Sequence, residues 1–158
     1  MITWLKAGEQ HQHKNGGGWV ANTATVDGSV YIGLDARVYG DARVYGNARV
    51  SGDARVYDNA VVYGYAQVSG DARVFGNAQV LGDAQVLGDV WTETPLFIQG
   101  TKHGVSNSSY GKLSIGCVTL TFAEWKKQYR ALGKREGYTE KQIKEYGAII
   151  ALATKIGK

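Results

Sequence analysis

The sequence predicts a mainly β protein, a parallel β-solenoid of four triangular coils followed by a β-hairpin and a helical hairpin. Three observations carry that reading. A phrase of the form Val/Ile-x-Gly/Asn-Asp/Asn-Ala-x repeats twelve times without a break, opened by Val20, Val26, Ile32, Val38, Val44, Val50, Val56, Val62, Val68, Val74, Val80 and Val86. A period that short and strict belongs to a solenoid rather than to an ordinary core. Within each copy small and large apolar residues alternate with polar or aromatic ones, and after Trp91 the period fails.

The alternation Ala36-Arg37-Val38-Tyr39 is a strand with Ala and Val inward and Arg and Tyr outward. The Gly-Asp or Gly-Asn pair between strands makes a corner, because Gly reaches positive φ and Asn or Asp bonds its own backbone. Three corners close a coil of eighteen residues, so residues eighteen apart stack, at roughly 4.8 Å per coil.

The flanks divide the chain into a lead-in and cap (1–19), the solenoid (20–91) and a C-terminal α+β cap or oligomerisation segment (92–158). Trp4, Leu5 and Trp19 are expected to plug one end of the coil. Gly16-Gly17-Gly18 resembles a phosphate cradle, but no helix follows it, and it reads as a turn. Beyond Trp91, residues 95–100 and 111–119 read as two strands joined by a polar loop at 106–110. Thr121 with Glu124, and Thr139 with Gln142, are capping boxes that open two helices. Phe122, Trp125, Tyr129 and Leu132 form the apolar stripe of the first helix, which ends near Gly137. Ile143, Tyr146, Ile150 and Ala153 form that of the second. The hairpin is expected to close the far end of the solenoid.

The repeat resembles the left-handed parallel β-helix of hexapeptide-repeat proteins, and handedness follows from that resemblance. Trimers are common in that fold, so a homotrimer is implied. Asn15-Gly16-Gly17-Gly18-Trp19-Val20-Ala21, the Tyr- and Arg-rich repeats, and Ile115-Gly116-Cys117 before Glu124-Trp125 resemble the YdcK-like proteins of bacteria and prophages, often labelled transferases. The resemblance transfers no activity.

The net charge of +4 is unevenly spread. Residues 20–91 hold five arginines and eight aspartates, a net −3, whereas 92–158 carry +6. The lysines read as solvated helix faces without interleaved base-stacking aromatics, so nucleic acid is not the expected partner. One cysteine, Cys117, fits a reducing compartment. The absence of a long apolar run implies no membrane partner and a cytoplasmic protein, in the host cytoplasm if phage-encoded.

Enzymes of the resembling fold transfer acyl groups with a general-base histidine near a groove between subunits. No histidine falls in these coils, so His103 is the one candidate base and acyl transfer is the second reading. The zinc-binding members of the fold use coil histidines, and those positions here are Arg, Tyr, Gln and Ser. His11 and His13 supply two metal ligands with no third. Cys117 with His103 is a conceivable nucleophile pair, but an apolar strand around Cys117 predicts a buried, inert thiol. No metal and no cofactor is expected.

Sorting outward residues by eighteens gives three unequal faces. The first carries Arg37 with Tyr39, Arg55 with Tyr57, Arg73 with Phe75, and ends at Trp91. These seven are the candidate ligand-binding residues, since stacked guanidinium groups repel and gain from an anion or from aromatic faces. The competing view pairs them with the corner residues Asp35, Asp53 and Asp71. The second face turns apolar through Val61, Tyr63 and Leu81, the candidate oligomer interface. The preferred reading is a non-enzymatic, phage-type binding protein that holds a host protein or an anionic, nucleotide-like ligand, with countering a host defence as one such role. A structural spacer is the third reading.

Overall fold

A computed structural model describes residues 8–157. Trp4 and Leu5 lie outside them. The chain forms two compact units, 1–94 and 95–158.

The first unit is a parallel β-solenoid of about four turns. Strand β1 (Gln10–Gln12) runs antiparallel to β2 (Trp19–Ala21). Two-residue strands then follow at every corner-to-corner span: β3 (Thr25–Val26), β4 (Tyr31–Ile32), β5 (Arg37–Val38), β6 (Arg43–Val44), β7 (Arg49–Val50) and β8 (Arg55–Val56). The series continues through β9 (Val61–Val62), β10 (Gln67–Val68), β11 (Arg73–Val74), β12 (Gln79–Val80), β13 (Gln85–Val86) and β14 (Val90–Trp91). They sort into three sheets, ordered β1-β2-β5-β8-β11-β14, β3-β6-β9-β12 and β4-β7-β10-β13.

The interior is Ala and Val, with Ile32 at one rung and Trp91 at the last. Ala36 to Ala78 and Val38 to Val86, at their repeat positions, are wholly buried. The backbone ladder is satisfied from coil to coil: Arg37 N donates to Ala54 O at 3.0 Å and Arg55 N to Ala72 O at 2.9 Å. Corner geometry explains the glycines. Gly40 has φ +67°, and a Cβ there would stand 2.7 Å from the Asp58 nitrogen of the next coil. Asp58 itself takes φ +57° at the equivalent corner, which Asp tolerates better than most residues.

The last coil departs from the period. Arg73 pairs with Val90 and Val74 with Trp91, a separation of seventeen residues where the coils before it have eighteen. The short corner leaves Asp89 at φ +65° and rotates Trp91 inward. Its ring is 2% exposed, and Nε1 donates to Gly88 O at 2.8 Å. Trp91 therefore fills the end of the axis and is not a rung of the outer arginine face.

At the other end, Gly18 N donates to Ile32 O and Ile32 N to Asn15 O, both at 2.9 Å. A Cβ on Gly16 or Gly18 would collide with the backbone carbonyls of Ile32 and Gly33. The glycines serve this close approach. Trp19 pairs in register with Arg37 and is half-buried while Val20 turns inward. It lies on the outer face rather than over the axis, contrary to the expected plug.

The second unit is an antiparallel sheet of β15 (Phe97–Gln99), β16 (Gly104–Ser109), β17 (Lys112–Ile115) and β18 (Val118–Thr121), in that order, followed by α1 (Phe122–Arg135) and α2 (Glu140–Ile156). The polar stretch expected as a loop is β16. Its Ser106, Asn107 and Ser108 are buried, and β16 itself and β17 supply partners for Asn107 and Ser108. Ser114 Oγ donates to Ser108 Oγ at 2.8 Å, and Asn107 Nδ2 donates to Ser109 O and Lys112 O at 2.8 and 2.9 Å.

The stretch 111–119 is two strands rather than one. Ile115 pairs with Val118 across a two-residue turn, Gly116-Cys117, with Gly116 at φ +59°, as a tight hairpin with Gly in first place requires. Both capping boxes are present, with Thr121 Oγ1 accepting from Glu124 N and Thr139 Oγ1 accepting from Gln142 N. Val105, Leu113, Ile115, Trp125, Tyr146, Ile150 and Ala153 form the core.

Candidate functional site

The parallel register carries Arg37, Arg55 and Arg73 up one side of the first sheet, each paired with the next. Two residues further along each strand end, the rings of Tyr39, Tyr57 and Phe75 stack. Their centroids lie 4.7 and 4.6 Å apart with planes within 2° and 7°. The first face of the sequence reading thus exists as a cationic column beside an aromatic one. Arg37 and Arg55 are half-buried and Arg73 is exposed.

Electrostatics mark the face as charge-rich. Burial raises the phenols of Tyr39 and Tyr57 above their usual range, with Asp58 adding to the shift and the adjacent arginines opposing it. Among the described residues neither Arg55 nor Arg73 lies within ion-pair distance of a carboxylate. The corner residues Asp53 and Asp71 do not neutralise them.

The aromatic column limits what the site can take. Tyr57 has Tyr39 on one face and Phe75 on the other, so it offers solvent an edge and no face. A flat base cannot stack on it. Trp19, the register partner of Arg37, belongs to the same outer column, and the sequence reading missed it. Subtracting eighteen from 37 finds it.

The second sheet presents Val61 half-buried, Tyr63 at 55% exposure and Leu81 at 38%, with Tyr65 at 64% on the adjoining corner. Arg43 lies in the same sheet, in register with Val61. On the third, the Arg49 guanidinium sits 4.4 Å over the Tyr31 ring.

In the second unit, the hairpin turns bring His103 and Cys117 to one end of the sheet. A Cβ on Gly116 would stand 3.3 Å from His103 Cγ, so the imidazole packs over that turn. His103 N donates to Tyr146 Oη at 2.6 Å, and that hydroxyl donates to His103 O at 2.7 Å. Cys117 is exposed, which corrects the expected buried thiol: a turn residue cannot share a strand's burial. Tyr138, nearby, is pushed up to about 12 by desolvation first, then by Tyr146, Glu136 and Cys117.

His11 and His13 differ in setting. His11 is exposed with Nδ1 3.0 Å from Asn22 Oδ1, and His13 is buried with Nδ1 3.3 Å from Asn15 O. Among the described residues no three His, Cys, Asp or Glu side chains converge on a metal position. No described helix is long and apolar enough to cross a membrane.

A short-period parallel coil with distinct outer columns defines a β-solenoid repeat protein. Residues 36–52, 48–64 and 66–82 match the family model of the YdcK beta solenoid repeat, and these coils are similar to that repeat. No curated protein and no solved structure matches the chain.

Proposed function

We propose that this is a non-enzymatic binding protein whose first sheet holds an anionic, phosphate-bearing ligand against Arg37, Arg55 and Arg73. One observation carries the reading: three arginines stand in register along the sheet, and among the described residues Arg55 and Arg73 have no carboxylate within ion-pair distance. Like charges about 5 Å apart repel, and an external anion removes that repulsion through charge-assisted hydrogen bonds. The covered faces of Tyr57 favour phosphate binding over base stacking. They also favour a second reading, in which the partner is an acidic surface on another protein that spans the three coils. The exposed Tyr63 and Leu81 support self-assembly through the second sheet, as a homotrimer.

Isothermal calorimetry with inorganic pyrophosphate and nucleotides tests the ligand reading. Arg55→Ala is expected to weaken binding by about 1–3 kcal/mol, and added salt to weaken it further. No binding by the parent protein, together with lost thermal stability in the triple Arg→Gln variant, would leave the column as scaffold. For assembly, sedimentation should move toward monomer when Tyr63 and Leu81 are both changed to Glu.

A further inference from the structure

Residues 95–158 contain nine lysines and two arginines against four glutamates, a net +7, with no aspartate. The fold gathers most of these cations on one side of the helical hairpin. On α1, Trp125, Tyr129 and Leu132 turn toward the core. Lys126, Lys127, Arg130 and Lys134 are left exposed on the side away from the sheet, at the three- and four-residue spacing of one helix face. On α2, burial of Ile143, Tyr146, Ile150 and Ala153 leaves Lys141, Lys144 and Lys155 exposed on the outward side.

The two rows run side by side because the helices approach closely. Gly147 lies against Tyr129, where a Cβ would stand 2.8 Å from the ring. Between the rows α2 presents Gly147 and Ala151, and Ala148 falls within its lysine row, so the track between the cations is shallow.

The acidic residues do not cancel this charge. Glu124 is held by Thr121 in its capping box, and Glu145 accepts from Thr101 N and Oγ1 at 2.8 and 2.6 Å. Glu136 pairs with Arg135 at 2.9 Å. Among the described residues Glu140, 3.9 Å from Lys134, is the one carboxylate on the face.

We propose that this outward face of α1 and α2 binds the phosphate backbone of nucleic acid without reading its sequence. Two cation rows flanking a shallow track suit a strand of phosphates, where counterion release supplies the affinity. No aromatic side chain stands exposed between the rows, so base stacking has no part in it. The absence of interleaved aromatics speaks against base recognition, and it leaves backbone binding open. A bilayer would want large apolar side chains among the cations. The exposed Leu152 and Ile156 instead lie on the flank of α2 turned away from α1.

The test is fluorescence anisotropy of the whole protein with a short random-sequence DNA duplex across a salt series. Binding that weakens with salt is expected. The combined variant Lys126→Gln, Arg130→Gln, Lys134→Gln and Lys144→Gln should bind at least about tenfold more weakly. Its salt slope should flatten by roughly 0.9 for each phosphate it no longer neutralises. Glu140→Gln should tighten binding, a gain that a misfolded variant cannot mimic. In the background of the triple Arg→Gln change on the solenoid, the quadruple helix variant should still lower DNA affinity by about tenfold, which separates this face from the ligand column. No binding at low salt would overturn the proposal. So would a quadruple variant that binds as the parent does, or anionic vesicles captured in preference to DNA with a dependence on Leu152.

Discussion

Tyr39 and Tyr57 stack with centroids 4.7 Å apart and planes within 2°, because the ladder that pairs Arg37 with Arg55 sets the same spacing at the next outward position. The backbone rise of a parallel solenoid is close to the stacking distance of two rings. Aromatic residues at eighteen-residue intervals therefore stack without distorting either chain segment.

Tyr57, stacked on both sides, should contribute more than a ring at the end of the column. Tyr57→Ala is expected to cost about 1–3 kcal/mol, at roughly 0.5–1.5 for each of its two stacked pairs. Tyr57→Phe should be nearly neutral, and Phe75→Ala, which removes one stack with Tyr57, should cost less than Tyr57→Ala. Urea denaturation followed by circular dichroism measures all three. Equal costs for Tyr57→Ala and Phe75→Ala would show that the stacks contribute little.

Trp91 closes the interior end of the coil, at 2% exposure and in register with Val74. Trp91→Ala should destabilise the first unit by about 3–5 kcal/mol, as truncating a large buried aromatic does. It should leave the Arg37–Arg55–Arg73 face and its ligand affinity intact at temperatures where the protein stays folded. A loss of affinity in the folded variant would place Trp91 at the ligand after all.

Cys117, at an exposed hairpin turn, should react with a thiol reagent in the native protein. One thiol per chain is expected without denaturant, at a rate near that of the unfolded chain. Protection until unfolding would restore the buried setting that its apolar neighbours suggest.

The Tyr138 hydroxyl, pushed up to about 12 mainly by desolvation, links stability to alkaline pH. The folded chain keeps the proton to higher pH than the unfolded chain, whose tyrosines ionise near 10. Its contribution is fully present below pH 10 and is lost as pH rises toward 12. Thermal melts across that window should show stability falling, and Tyr138→Phe should fall less steeply. Identical slopes in the two proteins would remove Tyr138 from the account.

Much of the fold was legible because it rests on repeated or local signals. The inward Ala and Val positions, the outward arginine column and the three sheets follow from a period of six and strand alternation, stated afresh at every rung. Thr121 with Glu124 and Thr139 with Gln142 opened their helices where the capping boxes lie, since a cap needs only residues three apart. The candidate arginine face was legible for the same reason, up to its ends.

The ends were decided by tertiary structure. Counting eighteen from Arg73 places Trp91 outside. A corner one residue shorter turns it inside, where a large ring fills the axis, and the same count left Trp19 unnoticed beside Arg37. Ser106, Asn107 and Ser108 read as loop because their hydroxyls and amide are polar. They form a strand because Ser114, Ser109 and Lys112 supply partners, and Lys112 and Ser114 reach them only once β16 and β17 pair. The basic face of α1 and α2 needed the close pass of Gly147 against Tyr129 to bring two separate rows of cations together. The sequence by itself determined what each rung and each helix buries, because burial follows the local period. Only the packed structure decided the register of the last coil, the burial of polar strands and the joining of surface charges, because each depends on how separate elements pair and pack and not on the local period.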